Sequence, residues 1–170
     1  YKTYSIVEKE LGLKGSIKAF FHPKKKQIHA VQNISLTVQK GEIVGYIGSN
    51  GSGKSTTIKM LTGVLYPDRG SVKINGLTPQ KHRTAVNKQI GVLFGQKSHL
   101  RWDIPVLESF ILHAKIYDVP DKVFEERLEQ LIDLLQLGDF IHQPVRNLSL
   151  GQRVRCEFAA IFIHQPAVVF

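Results

Sequence analysis

The sequence predicts an α/β domain with a largely parallel sheet, interrupted by an inserted group of helices. Three observations predict it. Short apolar runs alternate with helical patterns between residues 31 and 96, the order expected of strands joined through crossover helices. One run, residues 42–47 (EIVGYI), leads straight into a glycine-rich loop and then a helix pattern. From Val106 onward apolar residues recur at three- and four-residue spacing with charges between them, which is helical periodicity.

Each element follows from its residues. Residues 31–38 (VQNISLTV) alternate apolar and polar side chains as a half-buried strand does, and residues 42–47 form a second, shorter strand. A helix is expected over 54–65, where Ile58, Leu61 and Leu65 share helical spacing; Pro67, Asp68 and Gly70 then make a turn. Residues 71–74 read as a short strand closed by the turn pair Asn75 and Gly76. A polar, basic stretch through Lys88 has room for a helix, and residues 90–94 (IGVLF) are another strand. Helices are expected over 106–116 and 123–137, with Pro120 and Asp121 marking the start of the second and Gly138 its end. Polar residues 147–149 open a helix running to about His164, and residues 167–170 (AVVF) begin a buried strand.

Composition sets the bounds. The chain has 170 residues, 42% of them apolar, enough for one sizeable domain; at that length roughly two-thirds of the unfolded surface is buried. No stretch approaches the ~20 apolar residues of a membrane span. The start lacks the charged-then-apolar pattern of a secretory signal, and the lone Cys156 excludes an internal disulfide or a cysteine zinc cluster, so a reducing cytosol is expected. A formal charge of +9 and a pI near 9.7 point to an acidic partner: nucleic acid, anionic lipid or nucleotide phosphate. Part of that charge is local, at Lys14, Lys18 and Lys24 to Lys26.

The strongest motif is Gly48, Ser49, Asn50, Gly51, Ser52, Gly53, Lys54, Ser55, which matches G-x-x-x-x-G-K-[ST] between an apolar run and a helix pattern. Glycines let successive N–H groups point at phosphate oxygens, and the positive end of the following helix adds to that field. Lys54 would reach the β- and γ-phosphates, and Ser55 would place its hydroxyl on Mg²⁺. A chance glycine-rich turn is the plain alternative, against which the strand–loop–helix context argues.

Leu148, Ser149, Leu150, Gly151 and Gln152, followed by Arg153, resemble the LSGGQ signature of ABC ATPases, and nearly the whole chain resembles that family. Residues 30–63 look like the family's standard approach to and exit from the P-loop. Gln96 falls where its Q-loop glutamine belongs, and residues 104–108 resemble the segment after it. The resemblance implies a P-loop NTPase (RecA-like) core with an N-terminal antiparallel β-subdomain and an inserted α-helical subdomain. It divides the chain into a β-subdomain and P-loop core (1–96), a helical subdomain (97–147) and the signature helix with the start of the Walker B strand (148–170). It also implies ATP with Mg²⁺, held by the P-loop residues Gly48 to Thr56, by Tyr4 stacked on adenine, and by Gln96 at the metal. Ser149, Gly151 and Gln152 would act on the ATP of a second subunit in a head-to-tail dimer, homo- or heteromeric. A separate transmembrane permease completes the implied assembly at the inner face of the cell membrane.

Leu150 departs from the usual glycine, and Ser-Leu-Gly signatures resemble those of a bacterial exporter-like branch. Export is therefore the expected direction. A soluble ABC-type ATPase acting on nucleic acid or ribosomes is the alternative, and a kinase or GTPase a more distant one. For Ser149 the plain reading is a helix N-cap, for Gln96 a solvated loop residue, and for Tyr4 a core or edge-strand tyrosine with Phe20 or Phe21 in its place. The family's Walker B aspartate, its neighbouring glutamate and a later histidine have no counterpart in the chain, so a truncated ATPase that binds without hydrolysing is expected.

The remaining features read plainly. Seven scattered histidines without an i, i+4 pair give no metal motif. Cys156 reads as a small buried hydrophobe. Trp102 fits either the surface on which the family docks its membrane partner or the core. Residues 11–26 form an insertion in which Leu13, Ile17, Phe20 and Phe21 share one helical face beside Lys14 and Lys18. Packing on protein is its ordinary role, and contact with anionic lipid the sharper one.

Overall fold

Strands β1 (Lys2–Val7) and β2 (Lys25–Val31) pair antiparallel, with Tyr4 opposite Ile28 and Thr3 opposite His29. The computed structural model describes residues 1–7, 25–93, 95 and 98–170, in two compact units, 1–83 and 84–170. In the first unit β1 is tied to the turn at Pro67–Gly70. Lys2 Nζ donates to Asp68 Oδ1 at 2.7 Å, and the Thr3 N–H donates to Oδ2 at 2.7 Å. The Lys2 ammonium and that N–H hold the Asp68 carboxyl below its ordinary value.

The strand expected over 31–38 is displaced. Pairing runs through Lys25–Val31 and stops there; Asn33 takes a left-handed φ of 45°, and Ile34, Leu36 and Val38 are exposed. Residues 42–47 likewise form no strand, with Ile43 and Ile47 open to solvent. Alternation states which side chains share a face, but a strand also needs a partner for its N–H and C=O groups and a surface to bury. Among the described residues no strand pairs with 32–50. The strand expected over 71–74 reduces to one bridge between Ile74 and Leu77, closed by Asn75 (φ 47°) and Gly76 (φ 80°), the positive-φ pair of a two-residue hairpin turn.

Helix α1 (Lys54–Leu61) ends four residues before the pattern suggests. Gly63 takes φ 75°, and a Cβ there would stand 3.0 Å from Pro79, so the chain turns away. Gln80 Nε2 then donates to Met60 O at 2.9 Å and Leu65 O at 3.0 Å, supplying donors that the ended helix lacks. Of the insertion 11–26, residues 11–24, with the expected amphipathic face, lie outside the described residues; Lys25 and Lys26 open β2.

The unit boundary falls inside the short helix α2 (Arg83–Asn87). In the second unit β3 (Ile90–Gly91) and β4 (Val168–Val169) pair in parallel, Ile90 with Val168 and Gly91 with Val169. The ladder continues through Leu93 N–H to Phe170 O at 2.9 Å. Gly91 permits the approach, since a Cβ would stand 3.1 Å from Pro166 Cγ.

Helix α3 (Val106–Ile116) has the predicted span, and α4 (Asp121–Leu135) starts after Pro120 as predicted. The end of α4 differs. Gln136, not Gly138, takes the left-handed cap at φ 52°, while Arg155 Nη1 donates to Leu135 O and Gln136 O at 3.1 and 3.2 Å. The helix still closes on its own backbone there, Leu137 N–H donating to Ile132 O at 3.0 Å, and the charged donor from the next helix satisfies the two carbonyls beyond that closure. A 3-10 turn (Val145–Asn147) leads to α5 (Leu150–Phe162). Phe110 of α3, Leu131 of α4 and Cys156, Ala159 and Ala160 of α5 bury together with Leu137 and Phe140 of the link. Burial pushes the Cys156 thiol up to about 12, as suits a small buried hydrophobe. Among the described residues no helix is long and apolar enough to cross a membrane.

Candidate functional site

The glycine-rich loop, Gly48 to Gly53, enters α1 through Gly53 at φ 90°, ψ 3°, a left-handed conformation. Only glycine fits there, because a Cβ would run into the carbonyl oxygen of Ala30 at the end of β2. Gly51 also has positive φ (82°), and the Ser52 N–H donates to Ser49 O at 3.2 Å, which curls the loop. At Gly48 a Cβ would stand 2.7 Å from Ser52 Oγ. Lys54 folds over this bowl, its Nζ donating to Gly48 O at 2.6 Å and Ser49 O at 2.7 Å.

The remaining loop residues complete the picture. Asn50 and Ser55 are exposed and Thr56 half-buried at the first turn of α1. Thr57, which the motif does not include, is buried; its Oγ1 donates to Gly53 O at 3.1 Å and lies 3.3 Å from Tyr46 Oη. Tyr46 and Thr57 therefore brace the loop from behind. Tyr4 lies on β1 with its ring exposed and Lys2 Nζ 6.0 Å from the ring centroid, so it is no core residue. Gln96, Phe20 and Phe21 lie outside the described residues.

The signature residues start α5. Ser149 is the N-cap; its Oγ accepts from the Gln152 N–H at 3.2 Å, and Gln152 Oε1 accepts from the Ser149 N–H at 2.8 Å. This capping box uses both oxygens as acceptors, so the Ser149 O–H and the Gln152 Nε2–H groups keep their capacity to donate. Gly151 is exposed, with nothing within 4 Å of an added Cβ. Leu150 is the first helical residue and 69% exposed; its Cβ meets no backbone obstacle in a helical conformation that suits leucine. Trp102 is 54% exposed rather than core, and the Arg153 guanidinium stands 5.8 Å from its ring centroid.

Two groupings escape a motif reading. His113 is 7% exposed, with the rings of His99 and His164 each 5.7 Å away and Tyr117 stacked on His164 at 3.9 Å. Burial, then the neighbouring imidazoles, lower His113 to about 4. Positions 99, 113 and 164 carry no local spacing signal, and among the described residues no metal-holding group forms. The second is Glu157, buried on α5 against Ser98 and His99. Its signal was a single acid inside the apolar run 156–163 (CEFAAIFI).

Residues 31–170 match the family described as ABC transporter. The chain belongs to that family. It is 32% identical over 149 residues to the ABC transporter ATP-binding protein NatA of Bacillus subtilis, covering 88% of this chain and 61% of NatA. It is 35% identical to the methionine import ATP-binding protein MetN 2 of Enterococcus faecalis, over 90% of this chain and 45% of that protein. The solved structure of an ATP binding subunit of an ABC transporter superposes with a TM-score of 0.66 at 27% identity, covering 72% of this chain and 51% of that one. The fold is thus that of the family's ATP-binding domain, and the chain spans about half to three-fifths of these relatives.

Proposed function

We propose that this chain is the nucleotide-binding part of an ABC transporter subunit, which couples ATP binding and hydrolysis to transport through a separate transmembrane permease. The P-loop carries the proposal. Its glycine bowl is closed to any Cβ at Gly53, it opens onto the N-terminus of α1, and it holds the Lys54 ammonium at its carbonyl rim. Phosphate oxygens fit that combination of N–H groups, helix dipole and ammonium, and would draw Lys54 from the two carbonyls. In this reading the exposed Ser55 hydroxyl and Gln96 would hold Mg²⁺, which would supply charge neutralisation to the bound phosphates. Tyr4 offers a ring face to adenine.

Ser149, Gly151 and Gln152 form the second clamp of this proposal, on the ATP of a partner subunit, with the Ser149 O–H and the exposed N-terminus of α5 as donors. Binding energy would then differ between open and closed dimers, and that difference would move the permease at the inner membrane face. Export is the direction this reading assigns, resting on the Ser149-Leu150-Gly151 signature alone; MetN 2 is named for import.

The test uses the complete subunit with its permease. Lys54→Ala is expected to weaken Mg·ATP binding by about 10²-fold, the loss of a charge-assisted phosphate contact. Ser149→Arg is expected to leave ATP affinity within the same subunit unchanged and to abolish ATP-dependent dimerisation and turnover. Parental affinity in Lys54→Ala would refute the phosphate site, and equal loss of monomer affinity in Ser149→Arg would refute a clamp acting between subunits. Cargo accumulation in proteoliposomes of known orientation reads the direction.

A further inference from the structure

Glu157 lies two turns into α5 from the signature, 9% exposed, in a stretch of otherwise apolar residues. A carboxylate there is costly unless hydrogen bonds satisfy it. They do: Oε1 accepts from the Ser98 hydroxyl, and Oε2 accepts from the His99 N–H at 2.9 Å. The same serine oxygen accepts from the Leu100 N–H at 3.0 Å, and His99 Nε2 lies 2.7 Å from Val92 O. One carboxylate therefore fastens α5 to the 98–100 loop, and His99 fastens that loop to the chain leaving β3.

We infer that Glu157 is a positioning residue for the signature, setting the angle of α5 so that Ser149 to Gln152 meet a partner subunit's phosphate. The inference rests on the proposed clamp between subunits. Eight residues separate Ser149 from Glu157, about 12 Å along a helix, so a tilt of about 5° about Glu157 moves Ser149 by about 1 Å. A displacement of that size costs an oriented interaction up to about 10²-fold. Charge-assisted bonds resist such a tilt better than apolar contacts, which slide. Apolar packing alone would seal α5 here, so the buried charge buys direction.

The complete subunit serves for the test, with Mg·ATP affinity of the monomer and ATP-dependent dimerisation measured separately. Glu157→Gln keeps the side-chain volume and one acceptor for Ser98, but turns an NH₂ toward the His99 N–H. It is expected to raise the ATP concentration for half-maximal dimerisation about tenfold while monomer affinity stays parental. Ser98→Ala should act in the same direction, and the double variant should show less than the sum, because both break one linkage. Should Glu157→Gln not fold, Ser98→Ala carries the test alone. Parental dimerisation in the variants, additive effects, or a matching fall in monomer affinity would overturn the inference. Absence of ATP-dependent dimerisation in the parental subunit would instead overturn the clamp itself, and this inference with it.

Discussion

His113 shows how one side chain makes stability depend on pH. Its ring is buried against two further imidazoles and Tyr117, and its Nε2 has no partner among the described residues. The folded protein therefore keeps it neutral to about 4, whereas an unfolded chain protonates it from 6.5. Between those values the unfolded state binds more protons, so stability present above pH 6.5 is lost as the pH falls toward 4. His164 is lowered too, chiefly by burial, and acts in the same direction. By pH 5 the loss from His113 is about 2 kcal/mol. Urea unfolding at pH 7 and pH 5 measures it, and His113→Phe, which keeps a ring at the site, is expected to remove most of that loss. An unchanged difference between the two pH values would show that His113 is not the group responsible.

The junction between α4 and α5 carries strain that a single substitution relieves. Gln136 holds φ 52° and ψ 57°, a region where an L side chain costs roughly 1–2 kcal/mol. Two things hold it there: the Leu137 N–H closes the helix end on Ile132 O at 3.0 Å, and the Arg155 guanidinium bonds the carbonyls of Leu135 and Gln136 and lies 5.0 Å from the Phe140 ring centroid. Gln136→Gly removes the Cβ penalty and leaves both carbonyls in place, so a gain of about 0.5–1 kcal/mol is expected, net of the extra entropy glycine brings to the unfolded chain. The denaturant midpoint should rise with the slope unchanged. A lower midpoint would mean that the glutamine side chain contributes more than its backbone costs.

The second unit has a core shared by three helices and the link between α4 and α5, and Phe110 sits within it, fully buried. Phe110→Ala is expected to cost about 3–5 kcal/mol, as burial is lost and a cavity left. Cys156 is a reporter for this. Its thiol is buried in the same core and pushed up to about 12, so native alkylation requires opening of the core. The variant should label at least about a hundredfold faster at neutral pH, where opening rather than thiolate chemistry is being compared. Equal labelling rates would mean that Cys156 is reached by a local motion not involving Phe110.

Local chemistry was enough to read much of this chain. The P-loop is legible because consecutive residues supply its glycines, lysine and hydroxyl, and α3 and the start of α4 because 3.6-residue periodicity and Pro120 are local signals. The signature was legible as a helix start for the same reason: Ser149 and Gln152 are three residues apart, which is the spacing of a capping box. Strand content was less legible. Residues 31–38 have the alternation of a strand, yet β2 lies before them, since a strand exists only where another chain segment takes its hydrogen bonds. Contacts between distant positions were invisible altogether. His99, His113 and His164 meet only through the packing of α3 with the ends of β3 and α5, and Glu157 finds Ser98 across 59 positions of sequence. Periodicity and motif spacing encode what neighbours along the chain do; which buried charge faces which distant donor is decided by tertiary packing, because only packing brings those groups within hydrogen-bond reach.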